Sequence, residues 1–92
     1  MSEYEFLGKK YIIEKQEGES FNYEELKEKI TDYFEPYDYI FCDIAYHKVR
    51  LKGFYNIENK KANKINSIKG LDNYIKEYCA YGCNFFLLKK MQ

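Results

Sequence analysis

The sequence predicts an α+β fold, a compact single domain over residues 1–92 with a mostly antiparallel sheet and two main helices. Three observations carry this. Apolar and polar residues alternate along both arms of the 39–55 segment, the period of paired strands. A capping pattern precedes Leu26 and Ile30, which lie one helical turn apart. Phe85-Phe86-Leu87-Leu88 near the C-terminus is apolar at successive positions, as a strand buried on both faces must be.

Tyr4, Phe6 and Leu7 lead through Gly8 into Lys10–Lys15, two short strands around a glycine turn. After the loop Gly18-Glu19-Ser20, Asn22 is placed as an N-cap and Glu25 as its capping-box partner, with Phe21 and Leu26 as a hydrophobic staple. Leu26, Ile30, Tyr33 and Phe34 fall on one helical face, so a helix is expected near Tyr23–Phe34, stopped by Pro36.

Strands Tyr39–Tyr46 and Val49–Tyr55 are expected to form a hairpin through a His47-Lys48 turn. That register sets Tyr46 opposite Val49, Asp43 opposite Lys52 and Phe41 opposite Phe54. One face then carries Ile40, Cys42, Ile44, Tyr46, Val49, Leu51 and Tyr55 and is read as core. The other carries Phe41, Asp43, Ala45, Arg50, Lys52 and Phe54 and is read as facing outward.

Residues Asn56–Asn66 are polar, basic and rich in asparagine, the composition of a long flexible loop. A second helix is expected near Ile68–Ala80, burying Ile68, Leu71, Ile75, Tyr78 and Cys79, with Gly82 as its C-terminal cap. Cys83–Leu88 is read as a central strand.

Charge is divided unevenly. Residues 1–46 hold twelve acidic side chains against five lysines, a net −7, and residues 47–92 hold ten Lys/Arg against three acids, a net +7. The halves cancel overall but make a dipole if they fold onto different faces. No run approaches the ~18 apolar residues of a membrane span. Three cysteines, an odd count, and a first segment without a basic and apolar leader point to a reduced, cytoplasmic protein.

Catalytic signals are weak. Cys79 and Cys83 with Cys42 and His47 lack the two tight pairs of a zinc knuckle, and the spacing is not Cys-x-x-Cys. His47 sits in a turn with no nucleophile placed beside it. The glycines are scattered and form no phosphate loop. The expectation is a non-enzymatic protein without metal or other cofactor, its cysteines free and buried.

The strongest binding signal is Lys48-Val49-Arg50-Leu51-Lys52-Gly53-Phe54-Tyr55. Alternation aligns Lys48, Arg50, Lys52 and Phe54 on one side, and Phe41 on the neighbouring strand joins them. Cations with aromatic rings suit phosphates and stacked bases. The expected partner is RNA or a ribonucleoprotein. A protein–protein adaptor is the alternative, and a thiol redox or metal protein using Cys79 and Cys83 the distant third. A monomer is favoured.

The segments Asp38-Tyr39-Ile40-Phe41, Arg50–Tyr55, Lys61-Ala62 and Tyr74–Cys83 together resemble the YutD-like family of small bacterial proteins. The resemblance spans about Tyr11 to Lys89 and departs at Phe41-Cys42-Asp43-Ile44. It implies a compact α+β domain in a bacterial cytoplasm and supplies no activity. By resemblance alone, Arg50, Lys52, Gly53, Phe54, Cys79, Gly82 and Cys83 are candidate site positions.

Overall fold

A computed structural model describes residues 3–18, 23–45, 48–78 and 84–91. Its elements are β1 (Glu3–Phe6), β2 (Lys9–Glu17), α1 (Tyr23–Lys29), β3 (Tyr39–Ala45), β4 (Lys48–Phe54), α2 (Leu71–Tyr78) and β5 (Asn84–Lys90). The five strands form one sheet in the order β1-β2-β5-β3-β4, with every neighbouring pair antiparallel. The expected α+β class is the one observed.

The β1–β2 hairpin turns through Leu7 and Gly8, both left-handed at φ 57° and 73°. Two consecutive positive φ values match the right-handed twist of the flanking strands. A bulge at Glu14 then shifts the β2 register against β5, between Ile13 and Lys15.

β5 is central, as its sequence predicts. It lies between β2 and β3, and its apolar run divides evenly between two cores. Phe86 and Leu88 join Phe6, Tyr11, Leu26, Ile30, Phe34, Ile40 and Cys42 on the α1 side. Phe85 and Leu87 join Tyr39, Phe41, Phe54 and Leu71 on the α2 side. Both faces of the sheet are therefore covered.

The first helix is shorter than expected. α1 ends at Lys29, Thr31 is extended (φ −103°, ψ 179°), and a separate 3-10 turn covers Asp32–Phe34. The β-branched pair Ile30-Thr31 is a weak place to continue a helix. Leu26, Ile30 and Phe34 stay buried, but Tyr33 swings outward and is 67% exposed. The anticipated N-cap Asn22 and staple residue Phe21 lie outside the described residues. At the other end a 3-10 turn, Ile68–Gly70, precedes α2, with the Ser67 side chain accepting from Lys69 N. Leu71 is buried, and Ile68 and Ile75 pack beside it as anticipated. Cys79, Ala80, Gly82 and Cys83 lie outside the described residues. Cys42 is buried and free, and burial pushes its thiol well above the ordinary range, with the Asp43 charge adding to the effect.

The hairpin register differs from expectation by two residues. Ala45 pairs Lys48, Asp43 pairs Arg50, Phe41 pairs Lys52 and Tyr39 pairs Phe54, so residues 46 and 47 join the strands. A slip of two preserves which side each residue faces, and alternation therefore cannot distinguish the two registers. Gly53 is where Tyr37 lies flat against β4: an added Cβ would land on the Tyr37 ring, which also stacks on Tyr55 at 4.6 Å.

Two stability changes follow. Tyr11 is fully buried, and its hydroxyl has no hydrogen-bond partner among the described residues. Tyr11→Phe should raise stability by about 1 kcal/mol in urea denaturation. Burial, then the Glu35 charge, raises the Tyr11 pKa above 10.0. The fold favours the protonated ring, so this contribution is complete below pH 10.0 and is lost as pH climbs. The variant should therefore lose less stability than the wild type above that pH. Gly53→Ala should cost roughly 1–3 kcal/mol, because the Tyr37 ring must move.

Candidate functional site

The predicted cationic strand is β4, an outer strand of the sheet. The aromatic members of the expected surface, Phe54 on β4 and Phe41 on β3, are not exposed. Phe41 and Phe54 are each 1% exposed, a correction to the outward face expected for them. Tyr74 of α2 sits edge-on over both rings, 5.6 Å from Phe41 and 5.7 Å from Phe54. Phe85 closes on Phe41 from β5 at 5.5 Å. Neither phenylalanine offers a free ring for a base to stack on. The signal that this face is covered is β5 itself: Phe85 and Leu87 require a second layer on the same side.

The charges of β4 are also engaged. Asp43 is buried at 2% exposure, and Arg50 Nη2 donates to its Oδ2. Arg50 is thus tied to a core carboxylate, where the expected register had set it opposite Ala45. Lys52, expected to pair with Asp43, instead places Nζ 5.2 Å from the Phe54 ring and 5.6 Å from that of Tyr74. Its ammonium caps the aromatic stack as a cation–π donor. Lys48 opens β4 opposite Ala45.

A second basic surface lies after β4, in the stretch read from the sequence as a flexible loop. It is a chain of hydrogen-bonded turns. Asn56 Oδ1 accepts from Glu58 N at 3.1 Å, and Asn59 Oδ1 from Lys61 N at 2.8 Å. Asn63 Oδ1 accepts from Ile65 N and Asn66 N at 2.9 and 3.0 Å, while Asn66 Oδ1 accepts from Asn63 N at 2.7 Å. Each is an asparagine side chain standing in for a backbone turn partner. Asp38 anchors the start, its Oδ2 accepting from Asn56 N at 2.8 Å and Asn59 Nδ2 at 3.0 Å. Tyr55 and the 66–68 stretch close the far end through Tyr55 N to Asn66 O (2.7 Å) and Ile68 N to Tyr55 O (2.9 Å). The spacing of Asn56, Asn59, Asn63 and Asn66 was the sequence signal for this order.

The turns hold two isoleucines in solvent: Ile57 is 62% and Ile65 76% exposed. Between the loop and the start of α2 runs a groove of about 920 Å³, lined by Ile57, Ala62, Lys64, Lys69, Gly70 and Asn73 among others. A smaller cavity of about 310 Å³ adjoins it, sharing Lys64, Gly70 and Asn73 and reaching Lys52, Ile65, Tyr74 and Glu77. Lys52, Lys64 and Lys69 form no ion pair among the described residues. Aliphatic walls with a lysine rim combine apolar contact area with positive charge. The charge division of the sequence has its structural counterpart here. The net acidic α1 segment packs on one face of the sheet and α2 on the other, with the net basic loop beside the start of α2.

The family model described as "Putative antitoxin YutD-like" matches residues 5–89. The chain belongs to the YutD-like family. Within it, "Putative antitoxin YutD" of Bacillus subtilis (strain 168) is 43% identical over 74 residues, covering 80% of this chain and 81% of that protein. The solution NMR structure of protein yutD from B. subtilis superimposes with a TM-score of 0.81 at 35% identity, over all of this chain and 84% of the other. The family assignment from the Arg50–Tyr55 and Tyr74–Cys83 blocks is thereby established. No helix among the described residues is long and apolar enough to cross a membrane.

Two substitutions separate architecture from binding on β4. Arg50→Ala should destabilise by about 1–3 kcal/mol, because the buried Asp43 carboxylate loses its guanidinium. Phe54→Ala should cost roughly 3–5 kcal/mol by opening a cavity under Tyr74. Chemical denaturation measures both; unchanged midpoints would return these residues to the surface.

Proposed function

We propose that this YutD-like chain is a non-enzymatic binding protein that holds a protein partner against the Asn56–Gly70 surface. The observation that carries this is the pair of solvent-exposed isoleucines, Ile57 and Ile65, fixed on a turn-locked loop beside the lysine-rimmed groove. Two exposed aliphatic side chains on one hydrogen-bonded loop, beside a groove, suit protein contact better than nucleic acid. The term antitoxin in the relative's name also describes a protein that acts by engaging another molecule.

RNA or ribonucleoprotein contact through Lys48, Arg50, Lys52, Phe54 and Phe41 has weaker support. It depended on stacking rings, and those rings are interior.

The test is affinity capture with the full chain, with and without nuclease, beside the double variant Ile57→Asp, Ile65→Asp. A protein should remain after nuclease, and the double variant should retain at least tenfold less of it, a change of about 1.4 kcal/mol. Its binding should depend weakly on salt. A partner released by nuclease, with steep salt dependence, would replace this reading by the RNA one.

A further inference from the structure

We infer that the groove and its adjoining cavity form one docking cleft for an acidic segment of a partner protein, an aliphatic side chain of that segment resting on Ile57 and Ala62 and its carboxylates meeting Lys52, Lys64 and Lys69. The inference rests on the proposed protein-binding role and names the chemistry of the partner.

Continuity is the first argument. Lys64, Gly70 and Asn73 line both cavities, so the larger space beside Ile57 and the smaller one beside Tyr74 meet across the same residues. Gly70 lies at this junction and contributes no side chain, which keeps the passage between the two spaces open. Its missing Cβ would meet only the Lys64 carbonyl oxygen, at an ordinary 3.7 Å. The glycine is therefore not demanded by crowding or by a left-handed backbone.

Charge complementarity selects the occupant. Three lysines line the joined cleft, against Glu77 as its acidic lining residue. None of the three is neutralised in an ion pair among the described residues. Lys52 is oriented by the rings of Phe54 and Tyr74 beneath it, so its ammonium is already positioned. Carboxylates satisfy these cations, and the exposed aliphatic walls require an apolar group between them. A polyphosphate backbone satisfies the lysines but leaves Ile57 and Ile65 against sugar and phosphate. Tyr74, the aromatic in the cleft, is occupied edge-on by Phe41 and Phe54. An acidic peptide carrying aliphatic side chains meets both requirements.

The probe is an end-blocked peptide of alternating Glu and Leu, titrated into the isotope-labelled full chain and followed by amide chemical shifts. Controls are the Lys-for-Glu peptide, the Ala-for-Leu peptide and an oligouridylate. Saturable shifts are expected at Lys64, Gly70 and Asn73, with affinity about tenfold lower for the Ala-for-Leu peptide and no binding of the Lys-for-Glu peptide. The double variant Lys52→Gln, Lys64→Gln should weaken the Glu-Leu peptide about tenfold through charge. Gly70→Leu should weaken it as much by filling the junction, with both spectra otherwise folded. Absence of shifts at these amides, or equal response to the Lys-for-Glu peptide or tighter oligouridylate binding there, overturns the proposal. So does concentration-dependent self-association abolished by Lys52→Gln, Lys64→Gln, which would assign the cleft to the acidic side of a second copy. The same lysine variant in partner capture separates the two readings. A captured protein lost with Ile57→Asp, Ile65→Asp but unaffected by the lysine changes keeps the protein-binding role and removes the acidic segment. A partner unaffected by either removes both.

Discussion

The burial of β5 on both of its faces is the constraint from which the rest of this structure follows. A strand reading Phe-Phe-Leu-Leu sends two side chains to each side, and each pair needs a covering layer. Phe86 and Leu88 are covered by α1 and the 3-10 turn, and Phe85 and Leu87 by α2. The strand also needs a partner on each edge. β2 supplies one and β3 the other, so both hairpins become arms of a sheet whose centre is made last in the chain. Neither hairpin contacts its central neighbour until the last segment arrives, and most sheet contacts are therefore distant in sequence, a topology associated with slower folding.

That constraint explains which parts were legible in the sequence. The glycine turn at residue 8, the α2 apolar side, the central position of the last strand and the family itself were readable, because each is encoded by a local pattern. The fate of Phe41 and Phe54 was not, because it depends on a helix packing from elsewhere. Yet the information was present in Phe85 and Leu87: a strand apolar on both sides implies two covered faces, and a covered face takes in the aromatic residues of matching parity, here Phe41 and Phe54. The hairpin register failed for a different reason. Alternation has a period of two, so a two-residue shift costs the pattern nothing, while it changes the partner of Asp43 from Lys52 to Arg50. Electrostatics settles what hydrophobicity leaves degenerate. A buried carboxylate is best matched by a guanidinium, which can donate several hydrogen bonds while its stem covers apolar surface.

The loop after β4 shows composition misleading in the opposite direction. Asparagine-rich, basic sequence suggests disorder when counted, but asparagine at spacings of three and four residues is a repeated turn instruction. Four such side chains and the Asp38 carboxylate replace the ladder bonds that a strand would have made. Most backbone N–H groups of the segment find a partner within it or at Asp38, and so it can lie on the surface without belonging to the sheet.

A fixed loop matters for binding because ordering a flexible one upon association would subtract from affinity. Immobilising each long side chain or loop residue at an interface costs a sizeable part of what the contact returns. Here Ile57 and Ile65 are held outward by a hydrogen-bonded backbone, and Lys52 is held by two aromatic rings, before any partner arrives. On the opposite face of the sheet, residues 23–34 hold four acids against two lysines, while residues 56–78 hold five lysines against three acids, so the two layers differ in the sign of their net charge. A net positive side favours approach of the acidic segment proposed above, an effect on encounter rate that needs no added contact. A central strand that must be covered twice thus leaves two separate layers, and the net charge of the loop with α2 is positive while that of the α1 layer is negative.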